Sequence, residues 1–204
     1  MSKVCALSFD DGPHIIETGA TLDVLERHGI RASFFLIGNN ITPDREYLIR
    51  RGMDMGCEYE NHSLTHSFMN EMDRETIIAE IEETDRRITA VTGRVPEFFR
   101  PPYIVYNDLM FDIIDKTFIC GKGCDDWDDS VTAGQICERS YENASDGTIF
   151  LLHDSQGNMR TSKGVDMLIP RLKADGFEFV TVSELFRIKG EKPEKHKIYS
   201  YIEV

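Results

Sequence analysis

Short apolar runs of strand length alternate with segments of helical periodicity along most of the chain, and this alternation limits the fold more than any other feature. Seven such runs are bounded by turn residues: KVCALSF, RASFFLIG, CEYEN, EFFR, TFICG, TIFLLH and FEFVTV. A predicted helix follows each run. Strands that alternate with helices form parallel βα units with right-handed crossovers, in a doubly wound sheet or a closed barrel. We favour the barrel, within the α/β class.

Several helix ends are predicted from capping residues. Three side chains are suited to cap the helices that follow them: Asp73, Asn107 and Thr132. Gly93 is expected to end the longest helix, in which apolar residues recur at three- and four-residue spacing. Thr42 followed by Pro43 is typical of another helix start.

The length of the chain sets the number of domains. At 204 residues and 23.4 kDa, it suffices for one domain with a sizeable core. We expect this domain over residues 1–190, with a helix from about 162 to 174 that Pro170 kinks or whose early part is irregular. Residues 191–204 form a charged tail that turns apolar at Ile198, and this tail is expected to add an edge strand or to fray.

Composition limits the partners and the compartment. With 23 Lys+Arg against 36 Asp+Glu, the formal net charge is −13, so the average surface repels nucleic acid and anionic membranes. Five cysteines without a C-x-x-C pair argue against a disulfide framework and a zinc ribbon. The sequence shows no signal peptide, and no apolar stretch approaches the roughly 18 residues of a membrane span. We expect a cytoplasmic monomer with no nucleic-acid or membrane partner.

Polar side chains collect where the predicted strands end. These are Asp10 and Asp11, His62 and His66, Arg100 and Tyr103, Asp125 to Trp127, and His153. In βα architectures the loops at the carboxyl ends of the strands surround the mouth that carries the active site. We therefore expect the five segments to converge, although Asp-Gly alone is also an ordinary turn signal.

The NHSLTH stretch suggests a metal site. His62 and His66 are four residues apart, so on one helical turn both imidazoles face the same point. Two imidazoles and one carboxylate are a common ligand set for a catalytic divalent metal. One of Asp10 and Asp11 would bind the metal, and the other would stay free as a base. A pair of surface or capping histidines is the alternative interpretation.

His153 is the candidate for proton transfer near neutral pH, because it ends an apolar strand at the predicted mouth. The alternative is a histidine buried in the core. Asp125 or Asp126 could orient its ring, and Trp127 could pack against it. Cys124 is a weaker candidate as a competing metal ligand.

Five motifs occur in the order SFDDGP, NHSLTH, FRPPY, CDDW and FLLHD. They resemble the motifs of carbohydrate esterase family four, the polysaccharide deacetylases with a NodB-homology domain. The resemblance covers about residues 3–188. It implies a distorted (β/α)7 barrel that binds one divalent ion, Zn²⁺ or Co²⁺, and removes acetyl groups from a carbohydrate.

The resemblance also implies individual roles. Asp10 matches the catalytic base, and Arg100 matches the residue that holds it. Asp11, His62 and His66 match the metal ligands. His153 matches the general acid, and Asp126 matches the carboxylate that tunes it. The backbone N–H of Tyr103 matches an oxyanion donor. Further substrate contacts are expected from Pro102, Trp127 and Leu152.

Two positions depart from the family pattern, since Gly123 replaces the first Asp of D-x-x-D-W and Ser8 stands where Thr is common. The third and fourth motifs resemble the acetylxylan esterase branch more than the peptidoglycan branch. We expect O-deacetylation of acetylxylan or acetylated xylo-oligosaccharides. The alternatives are N-deacetylation of N-acetylglucosamine polymers, such as peptidoglycan or chitin, and cyclic-amide hydrolysis or lipid-sugar deformylation on the same fold.

Two other classes share parts of this pattern. Non-haem iron oxygenases use two histidines and one carboxylate, but in an all-β double sheet. Non-catalytic sugar-binding modules have degenerate sites, whereas both candidate proton-transfer residues are present here. A serine hydrolase is not indicated, because the chain has no G-x-S-x-G turn.

Overall fold

A computed structural model describes residues 3–203 of the protein. The strands in this part of the chain are β1 (Lys3–Asp10), β2 (Ser33–Leu36), β3 (Glu58–Asn61), β4 (Phe98–Phe99), β5 (Thr117–Ile119), β6 (Lys122–Gly123), β7 (Ile149–His153), β8 (Phe177–Phe179) and β9 (Ile198–Tyr199). The helices are α1 (Glu17–His28), α2 (Glu46–Asp54), α3 (Arg74–Thr92), α4 (Asp108–Ile113), α5 (Ala133–Glu142), α6 (Met159–Ala174) and α7 (Val182–Lys189). The seven predicted strands are present, β6 is an additional short strand, and β9 is the strand that the tail was expected to add as one of two outcomes.

The strands form one curled parallel sheet in the order β6-β7-β1-β2-β3-β4-β5-β9, and β8 pairs with the start of β1. Parallel pairing places the carboxyl ends of β1, β2, β3, β4 and β7 at the same edge. In the ladder between β1 and β7, Asp10 lies opposite His153. The sheet therefore brings widely separated segments of the chain to one mouth.

The C-terminal tail continues the curl of the sheet. After β9 pairs with β5, the Ile149 N–H donates to the Ser200 carbonyl at 3.1 Å, and the Ile202 N–H donates to the Gly147 carbonyl at 2.9 Å. A Cβ at position 147 would lie 1.9 Å from the Ile202 carbonyl oxygen, so this approach requires glycine. The tail thus spans the gap between β5 and the start of β7, which gives a distorted barrel.

Alternation along the strands separates two apolar clusters. Leu7, Phe9 and Leu152 belong to the larger cluster, which also contains buried residues of the surrounding helices. Ala6 and Ile149 belong to a second cluster, which α7 joins through residues that include Leu185 and Phe186. Ser8 and Asp10 continue the face of Ala6 towards the carboxyl ends of the strands, where the lining becomes polar.

Three predicted caps are confirmed, because Asp73, Asn107 and Thr132 accept hydrogen bonds from the N–H groups of Thr76, Met110 and Gln135. The predicted start of α2 is wrong. Residues 43–45 form a turn in which the Arg45 N–H donates to the Thr42 carbonyl at 2.8 Å, so the helix begins only at Glu46.

Helix α6 begins at Met159, before the predicted start near residue 162, and it continues past Pro170. Among residues 3–203, no helix combines the length and apolar character needed to cross a bilayer. All five cysteines are free thiols.

Candidate active site

A buried ion pair lies at the centre of the mouth. Arg100 and Asp10 are 0% and 1% exposed, and Arg100 Nη1 donates to Asp10 Oδ1. Arg100 Nη2 donates to Ser8 Oγ at 2.8 Å, and the guanidinium lies 4.1 Å from the centre of the Phe35 ring. These contacts fix one carboxylate oxygen of Asp10. The other, Oδ2, lies 3.6 Å from His62 Nε2, on the side of the histidines.

Asp11, His62 and His66 form the candidate metal centre. Asp11 Oδ1 lies 3.5 Å from Nε2 of each histidine, and one ligand atom from each residue lies within 4.8 Å of the others. The His62 Nδ1–H donates to the Arg100 carbonyl at 2.7 Å, which leaves Nε2 with its lone pair directed at the cluster. Residue spacing alone leaves open which aspartate joins the histidines, the family resemblance implies Asp11, and the geometry agrees with Asp11.

The protonation of this cluster suits a cation. Burial opposes the charge of Asp11, but the imidazoles of His62, His153 and His66 hold its pKa well below its usual range. Burial lowers the pKa of His66 and favours its neutral form. Asp11 Oδ1 is also buried without a hydrogen-bond partner among residues 3–203. An ionised carboxylate with an unpaired oxygen, beside a neutral imidazole, fits a divalent ion.

The two histidines lie in a loop after β3, and the expected helical turn is not formed. Ser63 and His66 have φ values of 66° and 57°, which no α-helix allows. The Ser63 N–H donates to Asn61 Oδ1 at 2.8 Å, and the His66 N–H donates to Ser63 Oγ at 3.0 Å. Side chains within the loop therefore replace the helical hydrogen bonds.

Glu80 of α3 holds this loop, and no sequence signal had singled it out. The carboxylate is 6% exposed and accepts from the N–H groups of Leu64 and Thr65 at 2.8 and 2.9 Å, and from Thr65 Oγ1 at 2.8 Å. A helical pattern does not distinguish a glutamate that accepts from a distant loop from one that faces solvent.

Glu80→Ala is expected to weaken metal binding by about tenfold, because residues that orient metal ligands contribute on that scale. Titration of the metal-free protein with Co²⁺ measures this effect. Glu83→Ala is the control, since Glu83 lies on the same helix and contacts only Arg86 and Arg87 among the described side chains. Equal affinity in the two variants would contradict the role of Glu80.

His153, which is partly buried, and Asp126, which is buried, form a second pair. His153 Nδ1 lies 2.8 Å from Asp126 Oδ1, and the His153 N–H donates to Asp126 Oδ2 at 2.7 Å. Although burial opposes its charged form, the hydrogen bond and charge of Asp126, with the charges of Asp10 and Asp11, raise the pKa of His153 to about 9. Asp125 instead pairs with Arg139 at the surface. Asp126 is therefore the residue that orients His153.

Three other predicted contacts differ in the structure. Trp127 is 67% exposed, and no aromatic contact joins it to His153 among residues 3–203. The predicted substrate contact of Leu152 is wrong, because its side chain is fully buried in the larger cluster. Side chains alternate along a strand, so Leu151, which is partly exposed, shares the face of His153. Pro102 is buried in a 3-10 turn and can support that turn.

Aromatic rings border the metal cluster on one side. Tyr103 is 54% exposed and has a φ of 57° in the turn after β4. Its ring packs edge-on against His66 with centroids 4.6 Å apart, and it stacks on Phe68 with centroids 4.2 Å apart. Phe68 is 47% exposed. The two rings form an apolar surface beside the candidate ligands, and the sequence had not singled out Phe68.

Gly123 departs from the family pattern, but the loop that follows it still brings Asp126 to His153. Gly123 lies in β6, opposite Leu151. Cys124 is 2% exposed and does not belong to the cluster of Asp11, His62 and His66.

Comparisons with known proteins agree with this geometry. A family model described as polysaccharide deacetylase matches residues 1–118. The chain is 42% identical over 201 residues to a bifunctional xylanase/deacetylase of Pseudobutyrivibrio xylanivorans, an alignment that covers 98% of this chain and 33% of that protein. It is 32% identical over 199 residues to a peptidoglycan-N-acetylglucosamine deacetylase of Listeria monocytogenes, which covers 97% of this chain and 41% of that protein. The chain thus spans a third to two fifths of these relatives.

A solved structure extends the likeness to the whole fold. The family 4 acetyl xylan esterase of Clostridium thermocellum, in complex with a cobalt ion, superposes with a TM-score of 0.96 at 36% identity. The superposition covers 99% of this chain and 100% of that one. The expectation of a single-domain α/β distorted barrel is confirmed, and an all-β oxygenase fold is excluded.

Proposed function

Since the chain belongs to the polysaccharide deacetylase family, we propose that it is a metal-dependent hydrolase that removes O-acetyl groups from acetylxylan or acetylated xylo-oligosaccharides. One observation carries the proposal. A cluster of two imidazoles and the Asp11 carboxylate lies at the same mouth as two proton-transfer groups, the buried Asp10 and the partly buried His153, each held by its own partner. This arrangement provides a Lewis-acid site, a base and an acid within one mouth.

Asp11, His62 and His66 would hold the divalent ion, with zinc and cobalt as the proposed metals. Such an ion polarises a carbonyl and lowers the pKa of a bound water. The hydrogen bond from His62 to the Arg100 carbonyl links this site to the residue that holds Asp10. The metal ligands and the base are thereby fixed relative to each other.

Asp10 takes a proton from the water that attacks the acetyl carbon. Its Oδ1 is occupied by Arg100, so Oδ2, which faces the histidines, is the oxygen available to the water. The N–H of Tyr103 donates to the oxyanion that develops on the acetyl oxygen, a contribution often of about 3 kcal/mol for one donor. Tyr103 lies beside the metal ligands, since its ring packs against that of His66.

His153 supplies a proton to the departing sugar oxygen. Asp126 accepts from Nδ1, so Nε2 is the nitrogen that carries the transferred proton. The raised pKa keeps His153 protonated at neutral pH, and its competence as an acid is lost as the pH rises through about 9. The products are acetate and a sugar hydroxyl, and no covalent enzyme intermediate is needed.

Asp126→Asn is expected to move the alkaline limb of the rate profile to lower pH by about one to two units, because an adjacent carboxylate raises a histidine pKa on that scale. The profile of kcat against pH measures the shift. Asp125→Asn is the matched control, since Asp125 is adjacent in sequence but pairs with Arg139. If the alkaline limb of Asp126→Asn lies at the same pH as in the parent protein, His153 is not the general acid, and the alternative of a histidine buried in the core is favoured.

Two observations support a carbohydrate substrate, and one of them favours xylan. The xylanase/deacetylase relative is more similar to this chain than the peptidoglycan deacetylase, at 42% against 32% identity. The exposed rings of Tyr103, Phe68 and Trp127 offer apolar faces on which a sugar ring can stack. The second observation supports a sugar in general, and only the first favours xylose over N-acetylglucosamine.

Acetate release from acetylated xylo-oligosaccharides, compared with chitin oligomers and peptidoglycan fragments, tests the proposal. We expect a clear preference for the xylo-oligosaccharides. A preference for the N-acetylated substrates would replace O-deacetylation by N-deacetylation and leave the roles of Asp10 and His153 intact. Release of acetate from none of them would remove the deacetylase proposal. The cytoplasmic location and the monomeric state stay predictions.

A further inference from the structure

Asp154 is a buried carboxylate beside the site that the proposed mechanism does not use. It follows His153 directly, is 1% exposed, and has one oxygen, Oδ1, without a hydrogen-bond partner among residues 3–203. A buried and partly unpaired carboxylate is costly, so its position calls for an explanation. The backbone N–H of Asp154 donates to the Asp10 carbonyl at 3.1 Å, so Asp154 lies next to the turn that follows β1.

The carboxylate of Asp154 packs against the backbone of this turn. A Cβ at Gly12 would lie 2.7 Å from Asp154 Oδ2 and 2.9 Å from Oδ1, so the two groups are in close contact. Asp154 Oδ2 accepts from Thr18 Oγ1, and Thr18 Oγ1 in turn accepts from the His14 N–H at 2.8 Å. A chain of two hydrogen bonds therefore connects the far side of the turn to Asp154.

Other hydrogen bonds hold the same two segments, the turn after β1 and the loop after β7. The Gly157 N–H, in the loop that follows His153, donates to Glu17 Oε1 at 2.7 Å, and Glu17 is 6% exposed. On the opposite side of the turn, Asn40 Nδ2 donates to the Asp11 carbonyl at 2.6 Å. The turn after β1 and the loop after β7 are thus joined by side chains from α1 and by Asp154.

Asp11 itself needs such support. Its φ of 79° lies in the left-handed region, which an aspartate adopts less readily than a glycine. A residue in this conformation keeps it only when its surroundings hold the backbone in place. If the turn were free, Asp11 could leave this conformation, and Oδ1 would lose its position between His62 and His66.

We propose that Asp154 and Thr18 are positioning residues that hold the Asp11–His14 turn so that Asp11 meets the two histidines. The hydroxyl of Thr18 is the link, because it bonds both the turn and Asp154. This inference rests on the proposed function, since it concerns how the metal centre of that enzyme is held.

The test is the affinity of the metal-free protein for Co²⁺, measured by titration calorimetry, in three variants at threonines of α1. Thr18→Val removes the hydroxyl and keeps the shape of the side chain, whereas Thr18→Ser keeps the hydroxyl. Thr21→Val is the matched control, because Thr21 is 1% exposed and lies one turn further along the same helix. Thermal unfolding of each metal-free variant measures any general loss of stability.

We expect Thr18→Val to bind Co²⁺ about tenfold more weakly or worse, the scale observed when a group that orients a metal ligand is lost. Thr18→Ser and Thr21→Val should bind it like the parent protein. Asp154→Ala should weaken binding as Thr18→Val does, and it provides an independent check. Thr18→Val with parental affinity, or equal losses in Thr18→Val and Thr21→Val, would overturn the proposal.

The readout separates this inference from the proposed function. Binding of Co²⁺ does not require hydrolysis of any substrate. Should the protein release no acetate while the contrast between Thr18→Val and Thr18→Ser persists, the deacetylase proposal falls and the positioning role stands. If deacetylation is observed and the contrast is absent, the positioning role falls alone.

Discussion

Asp10→Asn is expected to retain the metal ion and lose most acetate release, whereas Asp11→Asn is expected to lose both. The two residues are adjacent, but they face different partners. Asp10 is bonded to Arg100 through Oδ1, while Asp11 Oδ1 has no protein partner among residues 3–203 and lies 3.5 Å from both imidazoles. Loss of a general base costs about 10² to 10⁴ in rate, so the effect on kcat is large.

The measurement combines metal content after dialysis with kcat at saturating metal. Asp166→Asn is the control for loss of a carboxylate, because Asp166 pairs with Arg27 and His28 away from the mouth. The distance to the histidines does not by itself decide which aspartate binds the metal, because Asp10 Oδ2 also lies 3.6 Å from His62 Nε2. Equal metal loss in both variants would mean that the two carboxylates share the ligand role.

Arg100→Met is expected to lower the free energy of unfolding by about 3–5 kcal/mol, the usual cost of removing one partner from a buried ion pair. Arg100 is fully buried, and its replacement leaves the Asp10 carboxylate buried without its cation. Methionine fills part of the vacated volume, so the loss reflects mainly the unpaired charge. Activity should fall as well, because Asp10 is no longer held.

Chemical denaturation of the metal-free variants measures this loss. Arg86→Met is the control, since Arg86 pairs with Glu83 at the surface and its loss should produce no measurable change. The double variant Asp10→Asn with Arg100→Met should be less destabilised than Arg100→Met alone, because the unpaired charge is gone. A double variant that is destabilised by the sum of the single effects would contradict this explanation.

Much of the architecture could be predicted from local sequence signals. The apolar run of β1 and the caps at Asp73 and Thr132 act over a few residues, so the sequence contains the information that decides them. The start of α2 was predicted too early, because the Thr42-Pro43 signal is equally compatible with the turn that forms there.

The site was only partly predictable from local signals, because several of its contacts join residues that are far apart in the chain. The motifs identified Asp11, His62 and His66 as a group, but the expected helical turn between the histidines is a loop that Glu80 holds from α3. Leu152 was assigned to the substrate, although the pleat of β7 turns it away from the mouth. Each of these outcomes depends on a contact between residues far apart in the chain.

By itself, the sequence determined the order of strands and helices, the class of fold and the set of polar residues at the carboxyl ends of the strands, because periodicity, capping and turn chemistry are local. Spacing alone did not distinguish Asp10 from Asp11 or Asp125 from Asp126; the family resemblance implied Asp11 and Asp126, and the tertiary structure agrees. Only the tertiary structure decided how the tail reaches the start of β7. The curl of the sheet brings β1, β3, β4 and β7 together. The partner of each side chain at this mouth therefore depends on elements that are far apart in the sequence.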